Sequence, residues 1–151
     1  MKQIGAFLLL FFACIVFALT SQAAETGKIT IHVTGLNNDK GSVRIALFNT
    51  QEGYSAKNYS VDKAVAKAIA PIKSQEADYV FENIPYGEYG IRLFHDEDNS
   101  GVFYTKMFGI PKVQYGFSNN AKGMMGPPSW DKVKFMLNNE NLKMTINTQG
   151  S

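Results

Sequence analysis

Cysteine is nearly missing: Cys14 is the only one, and it lies inside an apolar run at the start of the chain. Nothing downstream can form a disulfide, so stability there must come from an apolar core. Histidine is scarce too. His32 and His95 stand alone, without the spacing that a zinc site needs. Net charge is small, with 15 Lys and Arg against 13 Asp and Glu. No basic cluster is interleaved with aromatics, so there is no electrostatic case for nucleic acid. Beyond residue 24 no apolar stretch approaches the ~20 residues of a membrane span. A marked nucleophile is missing as well. Ser118 in "GFSNN" lacks the Gly-x-Ser-x-Gly elbow, and "GMMGPPSW" has glycines without phosphate-loop spacing. No catalytic constellation is expected, and the chain reads as a non-enzyme.

What is present begins with Met1-Lys2, then an apolar run from Ile4 to Leu19, then Ser21-Gln22-Ala23. A positive start, a short greasy core and small residues at a cleavage point describe a secretory signal peptide over residues 1–23. A retained anchor fits less well, because the run is short for a span. Cys14 follows Phe11-Phe12-Ala13 and is itself followed by more apolar sequence, which does not suit lipidation. The expectation is an exported protein, periplasmic or extracellular. Residues 24–151 would form one domain, since about 128 residues are too few for two.

The dominant period in that domain is two, the mark of half-buried strands. In "GKITIHVTG" Ile29, Ile31 and Val33 share a face; in "SVRIALF" Val43, Ile45 and Leu47 do. The turn-rich "LNNDKG" between them predicts a hairpin. "VDKAVAKAIAPI" fits a strand or a helix. As a strand it groups Val61, Val65 and Ile69, and Pro71 would end it. "DYVFENIPYGEYGIRLFH" reads strand, turn, strand, and "VKFML" and "LKMTIN" flank the turn "NNEN". About seven short strands between Gly, Asn and Pro turns predict an all-β, antiparallel two-sheet sandwich of immunoglobulin-like or prealbumin-like kind.

Between Phe94 and Ser129 the alternation lapses, and so long a connection is functional or disordered. Its aromatics argue for order. Asp96, Asp98 and Ser100 alternate and Gly101 follows, the spacing with which a calcium loop turns side chains onto one hard cation. Tyr104 and Met107 stand where an EF-hand would continue, so the closing carboxylate is missing. The other reading is a solvated turn made for backbone reasons. His95 continues the inward alternation of Leu93 and reads as a structural histidine at the sandwich rim. Phe103, Tyr104, Tyr115, Phe117 and Trp130 form either a lid over an open edge or an exposed stacking surface.

"FENIPYGEYGIRLFHDEDNSG", "FGIPKVQYGFSNNAKG" and "GPPSWDKVKF" resemble the diagnostic segments of a bacterial exported family, domain of unknown function 2141. The likeness runs from Lys28 to about Ile146. The strand-turn-strand "F-x-N-I-P-x-G-x-Y" is also similar to transthyretin-like and carboxypeptidase-regulatory-like sandwiches. Members of the family commonly read HDENGNGKLD at the acidic loop. Here Asp98 and Ser100 replace asparagines and Tyr104 replaces the last aspartate. The resemblance implies the fold and assigns no activity. A non-enzymatic binding or accessory module of the cell envelope is the expected function, with a glycan, peptide or protein as ligand. The alternative is a structural domain that takes calcium at Asp96, Asp98 and Ser100.

Overall fold

The computed structural model describes residues 23–150. The expected signal peptide therefore lies, apart from Ala23, outside the described residues. Among those described, eight strands carry the fold: β1 (Thr26–Thr34), β2 (Ser42–Phe48), β3 (Ala66–Lys73), β4 (Glu76–Pro85), β5 (Gly87–Asp96), β6 (Tyr115–Phe117), β7 (Phe135–Leu137) and β8 (Asn141–Asn147). Two single-turn helices interrupt them, α1 (Gln51–Tyr54) and α2 (Trp130–Val133).

The all-β expectation holds, but the two-sheet antiparallel sandwich does not describe the pairing. The strands run β6-β5-β2-β3-β4-β1-β8, with β7 added on β5. β1 and β8 are parallel, so the sheet is mixed. Past β8, Gln149 and Tyr115 exchange two backbone hydrogen bonds of 2.8 and 2.9 Å, which brings the chain back to β6 and nearly closes a barrel. Closure leaves few unpaired strand edges to protect.

The inward faces are the ones alternation picks out. Ile29, Ile31, Val33, Val43, Ile45, Leu47, Ile91, Leu93 and Ile146 are all essentially inaccessible and fill the barrel. Gly116 faces inward as well. A Cβ there would stand 2.7 Å from Ile146 Cγ2 and 3.1 Å from Leu93 Cδ1, so only glycine lets β6 approach.

Two expected pairings are corrected. β1 and β2 form no hairpin: β1 pairs β4 and β8, while β2 pairs β3 and β5. The "LNNDKG" stretch instead crosses from one part of the barrel to the other. The grouping of Val61, Val65 and Ile69 also fails. In β3 it is Ala68 and Ala70 that face the core, opposite Ile45 and Val43, whereas Val65 and Ile69 are exposed. Pro71 does not end the strand. It sits where β3 passes from β2 (Ser42 opposite Pro71) to β4 (Ile72 opposite Ala77), a position that can do without an N–H.

β3 and β4 are joined by the two residues Ser74 and Gln75, with φ of 54° and 61°. Such a turn favours Asn-Gly, because side chains strain the left-handed region. Asp39 holds it: its carboxylate accepts from Ser74 N at 3.0 Å and Gln75 N at 2.6 Å. Relief of that strain is measurable. Gln75→Gly is expected to raise the unfolding free energy by a few tenths to about 1 kcal/mol, part of the gain being lost to unfolded-state entropy. Urea denaturation checks it, and a lower midpoint would show that the turn carries no strain.

Candidate functional site

The site is built on the outer face of the barrel, on the side formed by β3, β2, β5 and β6. Alternation there leaves Arg44, Ala46 and Phe48 of β2, Arg92, Phe94 and Asp96 of β5, and Tyr115 and Phe117 of β6 pointing away from the barrel core. An outward face is usually wet. Here a second apolar layer covers much of it: Ala46, Phe48, Tyr54, Phe117, Ala121, Trp130 and Val133 are buried together, with Tyr115 packed on them. Tyr54 is the hinge of this layer. Its ring meets Phe48 at 6.0 Å, Phe117 at 6.4 Å and Trp130 at 5.8 Å, and its hydroxyl donates to Pro128 O at 2.9 Å. Burial pushes the Tyr54 pKa well above the ordinary tyrosine range.

At one border of this layer stands the acidic loop. Asp96 is buried, and its carboxylate is the hub: Arg44 Nε donates to it, as do Gly101 N at 2.9 Å, Ser100 N at 3.1 Å and, more weakly, Ser100 Oγ at 3.4 Å. Arg44 also reaches Asn99 O at 3.3 Å, and Ser42 Oγ donates to Asn99 Oδ1 at 2.7 Å. Asp98 is exposed. It accepts from Ser100 N at 3.2 Å and from the Tyr104 hydroxyl at 3.3 Å, and the Ser100 contacts hold its pKa below the ordinary value. Thus Asp96, Asp98 and Ser100 do come together, bridged by Ser100. Among the described residues no group of three or more His, Cys, Asp or Glu could hold a metal. A cation at Asp96 would compete with Arg44 and two amides for the same lone pairs.

His95, one residue earlier, is buried inside the barrel rim, and its Nε2 donates to Lys40 O at 2.7 Å. Its neighbour Gln114, also buried, ties three segments: it accepts from Asn37 N at 2.8 Å and donates to Gly35 O at 2.8 Å and Thr148 Oγ1 at 3.3 Å. His95 therefore joins loops and faces no open space.

The aromatics divide. Phe117 and Trp130 are buried in the second layer, Phe103 and Tyr115 are half-buried, and Tyr104 is exposed. Phe103 stacks on Tyr59 at 4.1 Å and meets Phe94 edge-on at 5.4 Å. Between them and β3 runs a groove of about 780 Å³, with Ile69, Phe94 and Phe103 on its walls. A second cavity of about 420 Å³ lies on the other side of Phe103, between Tyr115, Phe117 and the tips carrying Phe108 and Met124-Met125. The aromatic segment is thus part buried and part exposed.

Arg92 lines both spaces. Only 7% of it is accessible. Nη1 donates to Tyr54 O at 3.0 Å and Nη2 to Ser60 O at 2.6 Å. The guanidinium lies 4.9 Å from the Phe48 ring centre, 5.8 Å from Tyr54 and 5.7 Å from Tyr59. Burial lowers its pKa, yet an arginine stays cationic at neutral pH. No feature of the sequence singled out Arg92. In "GIRLFH" it reads as an ordinary polar residue on the wet side of a strand. The available signal was the apolar company on that side: Ala46, Phe48, Phe94 and the exposed Ile69.

A family model described as "Uncharacterized protein conserved in bacteria (DUF2141)" matches residues 31–145. No curated protein and no solved structure matches the chain. The matched span runs from β1 into β8 and takes in the acidic loop, Arg92 and both cavities. The chain belongs to the DUF2141 family.

Proposed function

We propose that the chain is a non-enzymatic binding module of the bacterial cell envelope, exported by its first 23 residues, and that its ligand lies in the groove over Phe103. The observation that carries this reading is the groove itself. It is roomy, at about 780 Å³, and shares Tyr59, Arg92 and Phe103 as walls with the smaller cavity. Apolar and aromatic walls with a few polar groups are what small-ligand sites have in common. Ile69 supports it from the sequence side. Ile69 is 58% exposed and adds an apolar side chain to the groove wall.

No catalytic role is assigned to His95, which is buried and engaged with Lys40 O. The loop of Asp96, Asp98 and Ser100 is read as a brace for one end of the groove. Arg44 links the two, since Asp96 holds it and it forms part of the groove wall.

The neutral fluorophore phenylnaphthylamine tests occupancy. The purified protein is expected to bind it at one saturable site. Phe103→Ala removes an aromatic wall and should weaken that binding about ten-fold, the value of ~1–1.5 kcal/mol for a stacked ring. Absence of saturable binding, or binding that Phe103→Ala leaves unchanged, would reject the groove as the site.

A further inference from the structure

We propose that the groove takes an organic anion, a carboxylate or sulfonate whose charged group pairs with Arg92 and whose apolar body runs past Phe103 toward Phe108 and the Met124-Met125 tip. This rests on the reading of the groove as a binding site and adds the chemical class of its ligand.

Arg92 is the reason. It is more than nine-tenths buried, and its two protein acceptors are neutral backbone carbonyls. No acidic side chain forms an ion pair with it among the described residues, whereas Arg44 on the same face is held by Asp96. A cation taken out of water without a counter-charge is costly, and cation–π contact with three rings offsets only part of that. A guanidinium has five N–H groups, and the two carbonyls use two of them. No fully buried side-chain nitrogen or oxygen among the described residues lacks a partner, so Nε, which has no protein acceptor, keeps some accessible surface in a side chain that lines both cavities. A guanidinium with N–H groups to spare in a pocket wall is the complement of a carboxylate or sulfonate.

The surroundings agree in sign. The groove itself is lined by Arg44, Lys67 and Arg92 against one carboxylate, Asp62. The surroundings also select for an apolar body. Phe108 is 94% exposed and Met124 is 96%, and both belong to the mouth of the smaller cavity. A bare inorganic ion would leave these side chains in water. An amphipathic one would cover them, gaining about 25 cal/mol per Å² of apolar surface removed from solvent.

Two probes with one skeleton separate charge from shape: anilinonaphthalene sulfonate and the neutral phenylnaphthylamine. The sulfonate is expected to bind the purified protein at least ten-fold more tightly. Phe103→Ala should weaken both and keep the ratio, while Arg92→Met should bring the ratio close to one. Should Arg92→Met fail to fold, competition on the unaltered protein gives the same information, with naphthoate expected to displace the bound sulfonate probe and naphthalenemethanol not. Equal affinity for the two probes, or equal displacement by the two competitors, would overturn the anion and leave the groove standing. Binding of neither probe would remove the groove and the anion together.

Discussion

Asp96→Ala will lower the unfolding free energy by about 3–5 kcal/mol, the cost of removing one partner from a buried ion pair. The carboxylate is 1% exposed and serves four donors, Arg44 Nε, the amides of Ser100 and Gly101, and the Ser100 hydroxyl. Alanine leaves the guanidinium of Arg44 without its counter-charge and both amides without their acceptor. For a domain whose whole stability is of the order of 5–15 kcal/mol, that is a large fraction. The melting midpoint should fall by on the order of 10–20 °C. Asp96→Asn keeps the shape and one acceptor oxygen but turns an amide toward a cation, so it should cost less and still destabilise. Millimolar calcium should leave the midpoint of the unaltered protein in place, since a cation would first have to displace Arg44. A ligand that binds only the folded state must raise it. An upward shift with calcium that Asp96→Ala abolishes would return the loop to the metal-binding reading.

That double possibility was visible in the sequence and could not be resolved there. Alternating Asp96, Asp98 and Ser100 before Gly101 satisfies both a cation shell and a self-braced turn, because each needs several oxygens converging within a few residues. The choice depends on Arg44, 52 residues away along the chain and adjacent only through the pairing of Arg44 with Phe94. Strand faces were legible for a simpler reason. Burial depends on the period alone, and Ile29, Ile31, Val33, Val43, Ile45 and Leu47 are inward whichever strands they pair with. Pairing is another matter. The same alternation suits a β1–β2 hairpin and the observed crossover equally, so for β1 and β2 the neighbours were misassigned while the faces were not.

β3 shows where hydrophobicity alone misleads. Ala68 and Ala70 face in, opposite Ile45 and Val43 of β2, and Ile69 faces out, while Ile72, further along the inward side, packs on the core. Arg92 was hidden by the same kind of two-sidedness. Its face is outward with respect to the barrel and inward with respect to the second layer, and a period of two records only the first.

The second layer rests on one close approach, and the energetics of that approach give the other large effect. Gly90 of β5 lies directly beneath Trp130: a Cβ built on it would stand 2.7 Å from Trp130 Cζ3 and 3.2 Å from Val133 Cγ2. Trp130 in turn packs on Tyr54 and donates from Nε1 to Glu88 Oε1 at 3.2 Å. Trp130→Ala should cost about 3–5 kcal/mol through lost transfer energy and the cavity left behind. Gly90→Ala should cost about 1–3 kcal/mol, because neither the indole nor the strand can yield freely. The two residues compete for the same space, so their effects cannot add. In the double variant the new methyl group occupies part of the cavity that the indole vacates, and the loss should stay near that of Trp130→Ala alone, at least 0.5 kcal/mol short of the sum. Denaturant midpoints of the three variants measure this coupling. Strict additivity would mean that Trp130 does not sit on Gly90, and the outer layer would then need another anchor. Probe binding should follow stability here. The segment that ends at Trp130 carries the Met124-Met125 tip, and Ser118 fixes its start by accepting from Ile91 N at 2.9 Å and donating to Val133 O at 2.5 Å. Loosening the tryptophan frees one wall of the smaller cavity while Arg92 keeps its place on β5. The sulfonate probe should therefore lose affinity in Trp130→Ala and still bind more tightly than its neutral counterpart.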